Sequence, residues 1–374
     1  MPEAADSLTD TLLAAALRGG PLPTPPRAEW PALLASAGAH GVLPLLADAA
    51  AAAQWDRDIL AAMRPSVAAE TALAMLREGE LRRVLAALSA AGVTPLLLKG
   101  AHLAFTLYPS PDRRPRLDTD LLIREDDRDA LRHCLMSSGY RPVPQVTGEV
   151  AFTQFQYRRV DESGASHTLD IHWRIAIPKA FADRLTYDEL MCGAVAVPRL
   201  GPHAFAPSHP LALVVACLHR TAHHGTTTRL LWLYDIHLLA AQLSGADWDL
   251  VVERAQSCGL TPVVAAGLEH AAARLNTPVP SSVLDRLHAG AAATDADVLV
   301  FLNGVPPQMQ VAISDWRRIS GLRPRMRFLQ EHLFPPASYI RHRYDISSGL
   351  ALPFLYAHRA VTGVVKWLRQ RVAD

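Results

Sequence analysis

From residue 57 to residue 90 apolar side chains recur at helical spacing: Ile59, Leu60, Met63, Val67, Leu73 and Leu76, then Leu81, Val84, Leu85 and Leu88. That period predicts one long or kinked helix, with Pro65 at the kink and Gly92 as the stop. The residues before it are rich in Ala, Leu and Arg without alternation, so short helices are expected there. Val93-Thr-Pro-Leu-Leu-Leu98 is too short for a helix and is bounded by Gly92 and Lys99-Gly100, which suits a buried strand. Helical spacing follows from Ala101 to Tyr108, then a Pro/Arg loop over 109–115. In LDTDLLI (117–123), Leu117, Thr119 and Leu121 fall on one strand face, Asp118 and Asp120 on the other. A helix over 126–138 ends at Gly139, and strand-like segments follow around 150–160 and 166–173. Beyond Val197 the pattern is helical again, most clearly over 208–224, 228–243, 247–257 and 260–275.

Strands alternating with helices inside helical flanks predict an α+β fold with a small mixed β-sheet core. At 374 residues, two or three domains are expected: a helical region over 1–91, the sheet core over 92–200 and a helical domain over 201–374. A net charge of +1 provides no global field for nucleic acid or an acidic membrane, so any pull on a polyanion is local. No apolar run approaches bilayer length; LALVVACL (211–218) is among the longest. Glu3, Asp6 and Asp10 stand where a signal peptide carries Lys or Arg, and the four cysteines are scattered without a CxxC pair. A cytoplasmic protein with reduced thiols is the expectation.

Asp118 and Asp120 leave the same strand face, repel, and raise each other's pKa; a cation between them removes that penalty. An isolated DxD is as readily two aspartates at a strand end, but three neighbours add weight. Lys99-Gly100 sits between a strand and a helix start, where glycine lets backbone approach a phosphate and free N–H groups favour an anion. Arg113, Arg114 and Arg116 precede the aspartates and could neutralise a triphosphate or leaving pyrophosphate. In His167-Thr-Leu-Asp170-Ile-His-Trp173 a third carboxylate lies on another expected strand, able to complete a metal site or take an acceptor's proton. His172 and Trp173 beside it are candidates to orient the site or stack a base, although Trp is as readily core.

LLLKGAHLAFTLYP, RPRLDTDLLI, the Gly139-Tyr140 turn and LDIHWR together resemble the nucleotidyltransferase superfamily of the polymerase-beta type. Within it they resemble the bacterial branch of uncharacterised nucleotidyltransferases. The resemblance implies Asp118 and Asp120 as the metal pair, Asp170 as the third carboxylate, Lys99-Gly100 at the phosphate turn and Arg114 before the DxD strand. It further implies Mg²⁺ or Mn²⁺ as cofactor, a nucleoside triphosphate as donor, and displacement at the α-phosphorus by a hydroxyl, phosphate or amine. Peptide or secondary-metabolite tailoring, and so a peptide or small-molecule acceptor, comes with that branch. Lys99 replaces the small residue of the broader superfamily, so glycosyl transfer from a nucleotide-sugar through the same DxD stays an alternative. A non-catalytic nucleotide-binding module is the second class. Neither a membrane nor nucleic acid is an expected partner.

Other residues carry less. His219 and His223 share a helix face four apart, with His224 next; lacking the metalloprotease glutamate, they read as a polar face with some scope for substrate contact at His223. Arg229-Leu-Leu-Trp-Leu-Tyr-Asp235-Ile-His237 resembles a helix that follows the core in the same branch. A buried Asp235 there needs a partner, Arg229 or His237, or else contacts substrate. Seven arginines between Ser314 and Arg343 face only Asp315 and Glu331, which marks the clearest basic patch. A solvated face is its default reading.

Overall fold

The computed structural model describes residues 8–146, 148, 150–225, 229–346 and 349–359. Glu3 and Asp6, and residue 228 at the start of the expected 228–243 helix, lie outside the described residues. Four helices come first: α1 (Leu8–Arg18), α2 (Trp30–His40), α3 (Leu43–Ala52) and α4 (Arg57–Ala90). The middle of the chain runs β1 (Leu96–Leu97), α5 (Lys99–Thr106), β2 (Thr119–Leu122), α6 (Arg128–Ser137), β3 (Arg141–Pro142), β4 (Gln154–Val160) and β5 (Ser166–His172). Short pieces follow: α7 (Lys179–Ala182), α8 (Tyr187–Met191), β6 (Val195–Ala196) and β7 (Phe205–Ala206). Among the described residues the elements that follow are helices: α9 (His209–His224), α10 (Leu230–Ala241), α11 (Gly245–Ser257), α12 (Thr261–Leu275), α13 (Ser281–Ala289), α14 (Ala296–Leu302), α15 (Gln308–Arg318), α16 (Leu322–Leu333) and α17 (Ala337–Arg343).

The sheet has the order β3-β4-β5-β2-β1-β7-β6. The β2–β5 and β1–β7 pairings are parallel and the others antiparallel, the mixed sheet of an α+β fold. Strand β7, between β1 and the edge strand β6, lies beyond residue 200, inside the segment expected to be helical.

Period-2 alternation sorts the strand residues between two cores. Leu97, Leu121 and Ile123 turn to one face, where they meet Leu81, Val84, Leu85 and Leu88 of α4 and Leu131 and Leu135 of α6. Leu96, Leu98 and Leu122 turn to the other face, joining a core built from α1–α3, the start of α4 and α9–α13. Each such buried aliphatic side chain contributes about 1.5–3 kcal/mol relative to an exposed one. Asp120 belongs to the second face by the same alternation, which aims it toward α9.

Helix α4 serves both cores, Ile59 and Met63 in one and Leu81 to Leu88 in the other. Asp56 caps it through the Asp58 amide at 2.8 Å, and Pro65 lies within it. Its single buried carboxylate, Glu80, is held by Arg83, by Arg159 at 2.9 Å and by the Tyr140 hydroxyl at 2.7 Å. Although burial opposes ionisation, Arg83 and Tyr140 pull the Glu80 carboxyl down to about 2. By length and composition alone α4 could cross a bilayer, which the run-length reading of the sequence did not anticipate. Both of its ends are built into the cores.

Candidate functional site

The parallel β2–β5 register sets Thr119 opposite Leu169, Asp120 opposite Asp170 and Leu122 opposite His172. Asp120, Asp170 and His172 therefore share one face, with ligand atoms all within 4.8 Å of one another. His172 Nε2 lies 2.9 Å from Asp120 Oδ1 and 3.7 Å from Asp170 Oδ2. Asp118 sits one residue before β2 rather than on it, and lines the same cleft. The cleft has a volume of about 820 Å³.

The three carboxylates differ electrostatically. Burial, with Asp120 and Asp170 nearby, pushes Asp118 up to about 6. Asp170 is raised too, by burial and by Asp120, against the pull of His172 and Lys99. Asp120 goes the other way: burial opposes its charge, but Lys99 and His172 hold it far below the usual carboxylate range. The Lys99 ammonium is 2.7 Å from Asp120 Oδ1. Lys99 takes φ +51° as the first residue of α5, a left-handed conformation that costs about 1 kcal/mol or more in a non-glycine residue.

A divalent cation fits this donor set. Asp170 Oδ1 is buried without a hydrogen-bond partner, and one lysine is a single positive charge among three carboxylates. Asp120 and Asp170 are hard oxygen donors of the kind Mg²⁺ or Mn²⁺ takes and His172 adds a nitrogen, while Asp118 lines the same cleft outside that close cluster.

The phosphate side is rearranged from expectation. Arg114 is bound to Asp235, Nε to Oδ1 at 3.0 Å and Nη2 to Oδ2 at 2.6 Å, while Nη1 donates to the Pro115 carbonyl. Tyr108 donates to the same Asp235 at 2.8 Å. Asp235 thus pairs with Arg114 and Tyr108, not Arg229 or His237, and its oxygens are already taken rather than open to substrate. A side chain at Gly100 would meet Arg114 Nη1 at 2.5 Å, so the bare backbone there makes room for a guanidinium rather than a phosphate. Arg116 differs: it lines the cleft 7 % exposed, and its Nε and Nη2 have no partner. Burial, with Arg77 and Arg114 close by, lowers it to about 10.

Trp173 alternates away from the cleft into the sheet core, 4.8 Å from the Phe155 ring with Arg128 over its face; base stacking is closed to it. His223, a candidate substrate contact from the sequence, does line the cleft, together with its helix neighbours His219 and His224 and with Trp232, which the sequence did not single out. His224 stacks on Trp232 at 3.7 Å, and its Nε2 lies 3.3 Å from that of His219. Burial, with Lys99 opposite, pushes His223 down to about 3 and His224 to about 4, so the wall facing the carboxylates is neutral at physiological pH. The four-residue spacing of His219 and His223 was the visible signal; that the helix faces the carboxylates depends on tertiary packing.

The solved structures that this chain resembles include two from Helicobacter pylori. A candidate nucleotidyltransferase aligns at 12 % identity over 61 % of this chain and 94 % of its own, with a TM-score of 0.30. The protein JHP933 aligns at 14 % identity over 63 % of this chain and 94 % of its own, with a TM-score of 0.31. No curated protein matches. The model of a family described as uncharacterised nucleotidyltransferase matches residues 26–276, a span that holds Lys99, all three aspartates, the histidine wall and the Arg114–Asp235 pair. The chain belongs to that nucleotidyltransferase family.

Proposed function

We propose that this protein is a divalent-metal-dependent enzyme that moves a nucleotidyl group from a nucleoside triphosphate to a hydroxyl, phosphate or amine of a peptide or small molecule. The observation that carries the reading is Asp120 in register with Asp170, with Asp118 beside them, at the base of a cleft that also holds an unpaired arginine. Membership of a nucleotidyltransferase family supports the triphosphate donor.

In this reading Asp118, Asp120 and Asp170 hold Mg²⁺ or Mn²⁺, which would neutralise charge on the transferring phosphoryl group. Lys99, with His172, favours the ionised form of Asp120 against the cost of its burial. Arg116, whose Nε and Nη2 have no partner, supplies a cation for the donor's outer phosphates. Asp170, raised and with one oxygen unengaged, takes the proton from the attacking group as its bond to the α-phosphorus forms and the pyrophosphate bond breaks. The neutral His219, His223 and His224 wall lines the cleft as the surface offered to the acceptor.

The test is pyrophosphate release from each nucleoside triphosphate with Mg²⁺ or Mn²⁺ across a peptide and metabolite panel. Release that Asp170→Asn abolishes supports the reading. Release of nucleoside diphosphate from nucleotide-sugars instead would assign glycosyl transfer, and nucleotide binding without turnover on any acceptor would assign a binding module. A cytoplasmic setting belongs to the same proposal, on the expectation of reduced cysteines, all four of which are free thiols here.

A further inference from the structure

Helix α16 exposes Leu322, Met326, Leu329 and Leu333, spaced four, three and four residues apart. At 100° per residue the four fall within about 60° of arc, one stripe along the helix. The opposite side anchors it: Phe328 is buried with Ala151 and Ile319, and Glu331 accepts the amides of Val150 at 3.1 Å and Ala151 at 2.8 Å. Leu322 is 80 % and Met326 64 % exposed, Leu329 and Leu333 are 38 % and 45 % exposed, and Phe334 just past the helix is 60 % exposed.

The charge around it is one-sided for a structural reason. The two acids among residues 314–343 both point inward, Glu331 as above and Asp315 buried against the Lys179 amide at 2.8 Å. Of the seven arginines, Arg318 is spent on Asp295 and Asp297, whereas Arg317, Arg323, Arg341 and Arg343 are exposed on α15–α17. A near-neutral chain thus carries outward cations on α16 and on the helices before and after it in sequence.

We propose that this face is a peripheral docking surface for an anionic lipid bilayer, the α16 stripe entering the headgroup layer and the α15–α17 arginines meeting lipid charge. An amphipathic helix with a basic polar side and low overall hydrophobicity has the character of an interfacial helix, not a spanning one. An exposed apolar stripe with cations on the same and adjoining helices suits the boundary between lipid headgroups and acyl chains. A second copy of the chain would set the same arginines against each other. This surface departs from the expectation that no membrane takes part, and it is independent of the transferase reading.

The experiment is co-sedimentation of the full chain with phosphatidylcholine vesicles, with and without phosphatidylglycerol. The expected result is at least about tenfold more binding to the anionic vesicles, weakening as salt rises. The double variant Met326→Glu with Leu329→Glu should abolish it and Arg323→Glu should reduce it, with unchanged melting because these side chains are exposed. Equal binding to neutral vesicles, no binding, or wild-type binding by the double variant would overturn the proposal. So would self-association that the double variant removes, because the face would then belong to a second copy.

Discussion

Arg114 crosses the bare backbone of Gly100 to lay two guanidinium nitrogens on Asp235, 121 positions further along the chain. The pair joins the loop before β2 to α10, and so fixes the carboxylate strand against the helical wall of the cleft. Burial works against the charge on Arg114, yet Asp235 raises it well above its ordinary value.

Gly100→Ala should therefore destabilise the fold by about 1–3 kcal/mol, the usual cost of overpacking a fixed neighbour. Combining it with Arg114→Met should cost less than the sum of the two single changes, since the clash disappears with the guanidinium. Denaturant melts of the four chains check this; additive costs would mean that Arg114 is not the obstacle.

Asp120→Asn should lower turnover by at least two orders of magnitude, the scale of losing a principal electrostatic group. The same change strands the Lys99 ammonium, so a stability loss of roughly 1–3 kcal/mol should accompany it. Lys99→Met in the Asp120→Asn background should recover much of that stability and none of the activity.

Arg116→Gln should separate binding from folding. Its Nε and Nη2 have no partner, so their removal should leave the melting temperature unchanged or higher, while the donor KM rises about tenfold. A large stability loss with unaltered KM would move Arg116 out of the phosphate site.

Asp118 supplies a pH signature. Its carboxyl is raised from 3.8 to about 6, so in that interval the folded chain keeps a proton that the unfolded chain has lost. Stability contributed by this group is then greatest at low pH and declines as pH rises through the interval. A divalent cation should remove the cost of the ionised form, raising the melting temperature by about 2–4 °C near neutral pH and by little near pH ~5, where the proton competes. Thermal melts with and without Mg²⁺ should show this difference, and Asp118→Asn should erase it.

Much of this architecture was legible along the chain. The run from Ile59 to Leu88 marked α4 over the bounds observed, because a long amphipathic period averages out local exceptions. The alternation through Asp120 and Leu121 placed the carboxylate on the correct face, since period 2 leaves no other choice once the strand exists. The strands β3, β6 and β7, two residues each, carry too few positions for any period; β7 is defined by its pairing with β1, not by its own sequence. Likewise Asp235 visibly needed a cation, but its choice of Arg114 over the nearer Arg229 is a matter of tertiary geometry. Trp173 shows the opposite failing, for adjacency to Asp170 in a strand means the other side of the sheet.

The 34-residue α4 is rooted at its start in one core and at its end in the other, and between these roots Ser66, Ala69 and Glu70 border the cleft. A rod clamped at both ends transmits damage: loosening either core frees one end and withdraws support from the other. The chain should accordingly melt in a single calorimetric transition despite its size, and injuries remote from the cleft should silence it as surely as injuries within.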